Sequence, residues 1–183
     1  RSAEREGWLA KPRGLAATGH KVIACAFRRR DTWPGGGPDR DYALVGLLAF
    51  EDPVREGVAD AVARARAAGI RVIMVTGDHP VTAMAIAEEL GIGAASPRVI
   101  EGADLSEHLR RNDTEGVRDI DVIARAIPAQ KLELVRALQR KGEIVAVTGD
   151  GVNDVPALQG ADVGIAMGER GTRTAREVAS IVL

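Results

Sequence analysis

The chain has 183 residues, enough for one or two domains with a real core, and its 45% apolar and 28% charged residues fit an ordinary globular protein. A net charge of -1 gives no footprint for nucleic acid. The one cysteine, Cys25, rules out an internal disulfide and reads as a core thiol, and no uncharged apolar run approaches the roughly eighteen residues of a membrane span.

In chain order, residues 3–18 read as a helix weakened by Gly7, Pro12 and Gly14. Lys21–Arg29 is a strand, residues 30–41 with three glycines and two prolines form a loop, and Tyr42–Phe50 is a second strand antiparallel to the first. The first fifty residues carry nine basic and five acidic groups, read as a solvated face. Asp52 can cap a helix whose first turn holds Pro53 and which Gly69 ends. Ile70–Val75 is a buried strand, and Pro80 opens a helix that closes at Leu90-Gly91. Val99-Ile100 is followed by a polar helical stretch from Ala103 to Arg118, then a strand over Asp121–Arg125 and a helix over Pro128–Lys141. Ile144–Val147 forms a short buried strand that runs into T-G-D-G-V-N-D. A short helix near Val155–Leu158, a strand over Asp162–Ile165 and a helix near Thr172–Val178 complete the alternation. Alternating strands and helices predict an α/β fold, with a mainly parallel sheet covered on both faces and a small antiparallel segment at the N-terminus.

Polar groups gather where the strands end, and in parallel sheets ligands sit beyond the carboxyl ends of the strands. Thr76, Gly77 and Asp78 follow one strand: a hydroxyl and backbone amides at a helix start, suited to an anion. Lys131 lies in the first turn of a helix, where the dipole disfavours a cation, so it is either solvated or neutralised by something acidic. Asp150 and Asp154 are spaced to hold a hard cation such as Mg²⁺. Taken alone, G-D-G is equally a strand-to-helix turn with Asp and Asn as caps. Read together, the three strand ends make a phosphoryl-transfer site that lacks its nucleophile.

The strings V-I-M-V-T-G-D-H-x-x-T-A-x-A-I-A-x-x-L-G-I (72–92), A-R-A-I-P-A-Q-K (124–131) and V-T-G-D-G-V-N-D-V-P-A-L-Q-G-A-D-V-G-I-A-M-G (147–168) closely resemble the phosphorylation domain of P-type cation-transporting ATPases. These pumps belong to the haloacid-dehalogenase superfamily, and the wording is nearest to P2-like members. Residues 19–30 and 42–55 resemble the end of the nucleotide-binding domain and the hinge after it. The resemblance implies a haloacid-dehalogenase-type sheet. It divides the chain into residues 1–52, the C-terminal part of a nucleotide-binding domain, and residues 53–183, a phosphorylation domain without its nucleophile strand.

The resemblance also implies roles. Asp150 is the Mg²⁺ ligand, with Asp154 in the same metal site. Thr76 and Gly77 hold phosphoryl oxygens, and Asp78 orders that loop and the nucleotide. Lys131 neutralises the phosphate in the transition state, and Asn153 bonds near it. Arg125 and Lys21 reach ATP from the two sides of a domain gap. The family usually has Arg where Lys21 stands, and Lys lacks Arg's planar fork. The family's D-K-T-G-T string, whose Asp is the phosphate acceptor, does not occur in these 183 residues.

The implied protein is therefore a cytoplasmic piece of a membrane-embedded cation pump. It uses Mg²⁺ and ATP, has the rest of the pump and the transported cation as partners, and is inactive by itself. Arg1 in place of Met and the apolar end at Leu183 agree with a cut from something longer. A free-standing phosphatase of the same superfamily, using Asp52 as nucleophile, and a non-catalytic nucleotide- or protein-binding module are the alternatives.

Overall fold

The computed structural model describes residues 2–29, 31–32, 35, 40–51, 53–93, 96–111 and 113–183. Helix α1 (Ser2–Ala17) accommodates Pro12 in its interior. Strands β1 (Lys21–Phe27) and β2 (Ala43–Phe50) form the expected antiparallel pair, with Lys21 opposite Phe50 and an irregularity between Cys25 and Ala26. Most of the loop between them, and Asp52, lie outside the described residues.

The rest alternates as the apolar periodicity requires. In order come α2 (Val58–Ala67), β3 (Met74–Val75), α3 (Pro80–Glu89), β4 (Val99–Glu101), α4 (Gly102–Arg110), α5 (Thr114–Arg118), β5 (Val122–Ala124) and α6 (Pro128–Arg140). Then follow β6 (Ala146–Gly149), a 3₁₀ turn (Val152–Asp154), α7 (Val155–Gly160), β7 (Val163–Ala166), α8 (Arg173–Val178) and β8 (Ile181–Val182). All pairings after β2 are parallel, so the α/β architecture read from the sequence holds.

Several local expectations change. The buried strand expected over Ile70–Val75 shortens to Met74–Val75, which is half-buried at the edge of its sheet, and Ile70 is 59% exposed. Helix α2 starts at Val58, not at Pro53, because the chain turns through Glu56-Gly57 first and Gly57 is left-handed at φ 82. The stretch from Ala103 to Arg118 breaks into α4 and α5, where the Asp113 side chain takes the Gly116 N–H and caps a second start. The parallel strands lie in two three-stranded sheets, β3-β5-β4 and β6-β7-β8, not in one. The segment around β6 is not buried: Ile144 is 86% exposed and β6 alternates exposed and half-buried positions. The cause is its edge position, since among the described residues β6 pairs with β7 alone.

Strand β5 lies at the centre of its sheet and its side chains alternate between faces. Val122 and Ala124 pack with Val62, Ala83, Ala87 and Ile92 from α2, α3 and the turn after α3. Ile123 packs on the other face with Leu105, Val117, Ile120, Leu134 and Leu138. Ile73 and Val75 of the β3 segment and Val145, just before β6, all pack on that second cluster. The two sheets thus share one core under α6, while their facing edges, β3 and β6, do not pair.

Asp162, just before β7, ties the second sheet to α6. Its carboxylate accepts the Val145 N–H at 2.8 Å and the Gln139 side-chain N–H at 3.2 Å. Chiefly the Val145 N–H, and then Gln139, hold this carboxyl below the usual Asp value. A carboxyl depressed in the folded state stabilises above its unfolded value of 3.8 and loses that contribution as pH falls through the lower folded value. Asp162→Ala should therefore lower the urea midpoint at pH 6, and the gap from the unsubstituted protein should shrink once the pH drops well below 3.8. Parallel urea titrations at several pH values check this, and a gap independent of pH contradicts it.

Candidate active site

The turn after β3 is built from its own side chains. The Thr76 N–H donates to the Ile123 carbonyl at 2.9 Å and extends the strand pairing by one rung. The Thr76 hydroxyl then donates to Asp78 Oδ2 at 2.8 Å and accepts the Asp78 N–H at 3.1 Å. Backbone bonds join this turn to the end of β5: the Arg125 N–H donates to the Asp78 carbonyl and the Ala126 N–H to the Thr76 carbonyl, both at 2.9 Å. To make the first bond Arg125 takes a left-handed φ of 48, a conformation that costs a non-glycine residue about 1 kcal/mol or more. Asp78 therefore shapes the turn, while Gly77 at its tip stays exposed.

Helix α6 starts immediately after this junction. Pro128 occupies its first turn, and the Gln130 side chain reaches back to accept the Ile127 N–H at 3.0 Å. The Gln130 amide also donates to the Gly102 carbonyl at 2.8 Å and to the Ser106 hydroxyl at 3.2 Å, which pins the first turn of α6 to α4. Lys131 is the next residue, and its Nζ lies 2.5 Å from Asp154 Oδ1. The acidic partner that a lysine near a helix N-terminus calls for is thus Asp154.

Asp154 belongs to the turn that follows β6. Its other oxygen, Oδ2, accepts the Gly151 N–H at 3.3 Å, and its side chain is 12% exposed. Gly149 makes room for it, since a Cβ at that position would lie 2.6 Å from the Asp154 Cβ. The two carboxylates of the motif consequently differ. Asp154 is enclosed and committed to Lys131 and the turn, whereas Asp150 is exposed and its carboxylate has no hydrogen bond or ion pair among the described residues. Asn153 is likewise exposed.

Among the described residues no three His, Cys, Asp or Glu side chains converge on one point. That donor set does not make the closed cage of a structural zinc site. It fits a hard cation such as Mg²⁺, which is held by one or two carboxylates and completes its shell with water and substrate phosphate. Asp150 is an exposed carboxylate of the kind such a set uses.

Two sets of contacts therefore lie at the carboxyl ends of the parallel strands: Thr76, Asp78 and Arg125 at the ends of β3 and β5, and Lys131 with Asp154 after β6, the two linked along the chain by residues 126–130, with Asp150 exposed in the turn that carries Asp154. Lys21 stands apart. It is exposed at the start of β1, next to His20, whose carbonyl accepts the Thr82 hydroxyl at 3.3 Å in the first turn of α3. That contact places β1 at the same end of α3 as the Thr76–Asp78 turn. The sequence reading missed Thr172, whose N–H donates to the Asp150 carbonyl at 2.7 Å. Its only signal was a threonine ahead of a short helix, which reads as a cap and nothing more.

Removing the lysine head should leave Asp154 enclosed without its counter-charge. Lys131→Met is expected to destabilise the protein by about 2 kcal/mol, less than the loss for a fully buried pair because Lys131 is still partly hydrated. Asp154→Asn in the Lys131→Met background should cost clearly less than it does alone. A double-mutant cycle by urea unfolding checks this, and strictly additive effects contradict the pairing.

The chain is similar to curated cation-transporting ATPases. The chain is 41% identical over 186 aligned positions to a calcium-transporting ATPase of Bacillus subtilis (strain 168), an alignment that covers all of the chain and 21% of that protein. It is 44% identical over 174 positions to the plasma membrane-type calcium-transporting ATPase 4 of Arabidopsis thaliana, covering 93% of the chain and 17% of the relative. It is also 44% identical over 177 positions to the sodium/potassium-transporting ATPase subunit alpha-2 of Gallus gallus, covering 80% of the chain and 17% of the relative. The chain thus spans about a fifth of the length of the curated relatives it matches. The family model described as haloacid dehalogenase-like hydrolase matches residues 8–162, well over half of the sequence, and with the parallel α/β architecture above, this chain belongs to the haloacid dehalogenase-like hydrolases.

Proposed function

We propose that this chain is the cytoplasmic phosphorylation module of an ATP-driven cation pump that works through an aspartyl phosphate. It supplies the Mg²⁺- and phosphate-binding shell, and the phosphate acceptor comes from a segment outside these residues. The single observation that carries the reading is the Lys131–Asp154 pair, which sets the lysine of the first turn of α6, just after the Thr76–Asp78–Arg125 junction, against the turn that carries Asp150.

In this reading the Thr76 hydroxyl and the Gly77 amide bind phosphoryl oxygens, with Asp78 keeping their turn in shape. Lys131, oriented by Asp154, offsets the negative charge of the transferring group. Asp150 is the metal ligand, and Asn153 bonds close to the phosphate. Asp150, with Asp154 beside it, would hold Mg²⁺, which would supply positive charge to offset that of the transferring phosphate. Arg125 and Lys21 face the nucleotide, here ATP. Asp154 serves as the positioner of Lys131 first and as part of the metal site second.

Two structural features support a missing upstream partner. Strands β3 and β6 are edges of different sheets although both flank the cluster around Leu134 and Leu138, a place where one further parallel strand would join the two sheets into one. The β1–β2 pair, proposed as the end of a nucleotide-binding domain over residues 1–52, exposes Ile23, Phe27, Leu44, Val45, Leu48 and Phe50. An isolated two-stranded sheet is marginal by itself, so this pair is suited to a larger sheet. The relatives' names, calcium-transporting and sodium/potassium-transporting ATPase, support cation transport as the activity of the whole protein. Among the described residues no helix is long and apolar enough to cross a membrane, so the membrane segment of such a pump would lie outside them. The remainder of the pump, ATP and the transported cation are the expected partners.

Incubated with Mg²⁺ and radiolabelled ATP, the 183-residue chain should form no acid-stable, hydroxylamine-sensitive acyl phosphate. A longer chain from the same gene that includes a D-K-T-G-T string should form one, and Asp150→Asn in that chain should slow labelling about a hundredfold, the scale of losing one electrostatic group at a reacting phosphate. Labelling of the 183 residues alone, abolished by Asp52→Asn, would overturn the reading in favour of a self-contained phosphatase.

A further inference from the structure

The segment between β7 and α8 has no role in the proposed site, yet it bonds the backbone of Asp150, whose carboxylate is exposed. From the end of β7 the chain passes through Met167, Gly168, Glu169, Arg170 and Gly171 to Thr172. At one end the Met167 N–H donates to the Gly149 carbonyl at 3.3 Å, and at the other the Thr172 N–H donates to the Asp150 carbonyl at 2.7 Å. The segment therefore grips the two peptides on either side of the Asp150 Cα.

Three features hold the segment itself. The Arg176 guanidinium donates to the Gly168 carbonyl and, at 3.1 Å, to the Gly171 carbonyl, which closes the turn from outside. Gly171 is buried, and a Cβ there would run into the Met167 carbonyl, so only glycine lets the turn close this tightly. The Thr172 hydroxyl accepts the Ala175 N–H at 3.3 Å and fixes the residue that reaches Asp150.

The geometry points to Arg176 and Thr172 as positioning residues for the cation-binding carboxylate: the 167–172 turn, stapled by Arg176, clamps the Asp150 backbone so that its side chain is presented to the cation. This inference rests on the reading of Asp150 as the Mg²⁺ ligand. Neither residue touches the cation or the phosphate. Their effect runs through the Thr172 N–H and the orientation of one peptide, in the way that outer partners of metal ligands tune affinity. Arg176 is the informative position, because it is largely exposed and its packing contribution to the fold is small.

The experiment is an Mg²⁺ titration of the isotope-labelled chain, followed by the amide shifts of residues 148–154, with thermal unfolding measured on the same samples. Arg176→Ala should weaken Mg²⁺ binding about tenfold, at the lower end of what losing an outer-shell partner costs. Arg176→Lys should recover part of it, and Thr172→Ser, which keeps the hydroxyl cap and the N–H, should bind as the unsubstituted chain does. Glu169→Gln, in the same turn but outside these bonds, serves as the control and should be silent. Unchanged Mg²⁺ affinity in Arg176→Ala, or a loss that tracks only the fall in melting temperature across all the variants, overturns the inference. Asp150→Asn separates it from the underlying reading: if that substitution leaves Mg²⁺ binding intact, it is the assignment of Asp150 that fails, and the clamp falls with it.

Discussion

The contact between Lys131 Nζ and Asp154 Oδ1 is the interaction on which the site depends, because it joins two sheets between which the described residues form no strand pairing. A lysine in the first turn of α6 opposes the helix dipole, and an enclosed aspartate without a counter-charge is expensive. Each residue removes the other's penalty. The outcome is a cation held at the carboxyl end of the β5 sheet by a carboxylate that belongs to the β6 sheet. One oxygen of Asp154 takes the lysine and the other takes the Gly151 N–H, so the same side chain sets the shape of the turn that carries Asp150.

Helix α6 transmits this arrangement along the molecule. At its start Gln130 fixes it to α4, and Lys131 fixes it to the turn after β6. Near its end Gln139 donates to Asp162 and to the Gly160 carbonyl, holding the entry to β7. Between these points Leu134 and Leu138 pack into the core that also receives Val75 and Val145. The second sheet is thus fastened to the first through one helix at both ends. The edges of β3 and β6 remain open along their length, and in the pump reading that opening receives the strand with the phosphate acceptor.

The parts of this arrangement that were legible in the sequence are those written locally. Four apolar residues before T-G-D-G-V-N-D mark a strand end and a turn, and Pro128 marks a helix start. Strand ends in parallel sheets fall on one side, so Thr76, Lys131 and Asp150 could be placed near one another without coordinates. Partners across the fold were not legible. Nothing in the spacing of Lys131 and Asp154 says that they pair, because their contact follows from how α6 lies over two sheets. The same holds for Thr172 and Asp150, joined by backbone atoms that any residue type carries. The exposure of Ile144 was misread for a related reason: an apolar run looks the same in a central strand and at an edge whose neighbour lies elsewhere. The start of α2 was misread because Asp52-Pro53 is a strong helix-start signal that the turn at Glu56-Gly57 overrides.

In the proposed function the two aspartates of the motif divide the work, Asp154 holding Lys131 and Asp150 binding the cation, and where ligands arrive decides between this and a purely structural turn. The most direct measurement is the amide spectrum of the isotope-labelled chain titrated with Mg²⁺ and inorganic phosphate, separately and together. The account predicts that Mg²⁺ at millimolar levels, roughly what sites with few carboxylates require, moves residues 148–154 first. Phosphate should move Thr76–Asp78 and the Lys131 side chain, and each ligand should tighten the other. Phosphate shifts confined to surface arginines, or no change at 148–154 with Mg²⁺ at tens of millimolar (roughly ten times that requirement), would contradict it.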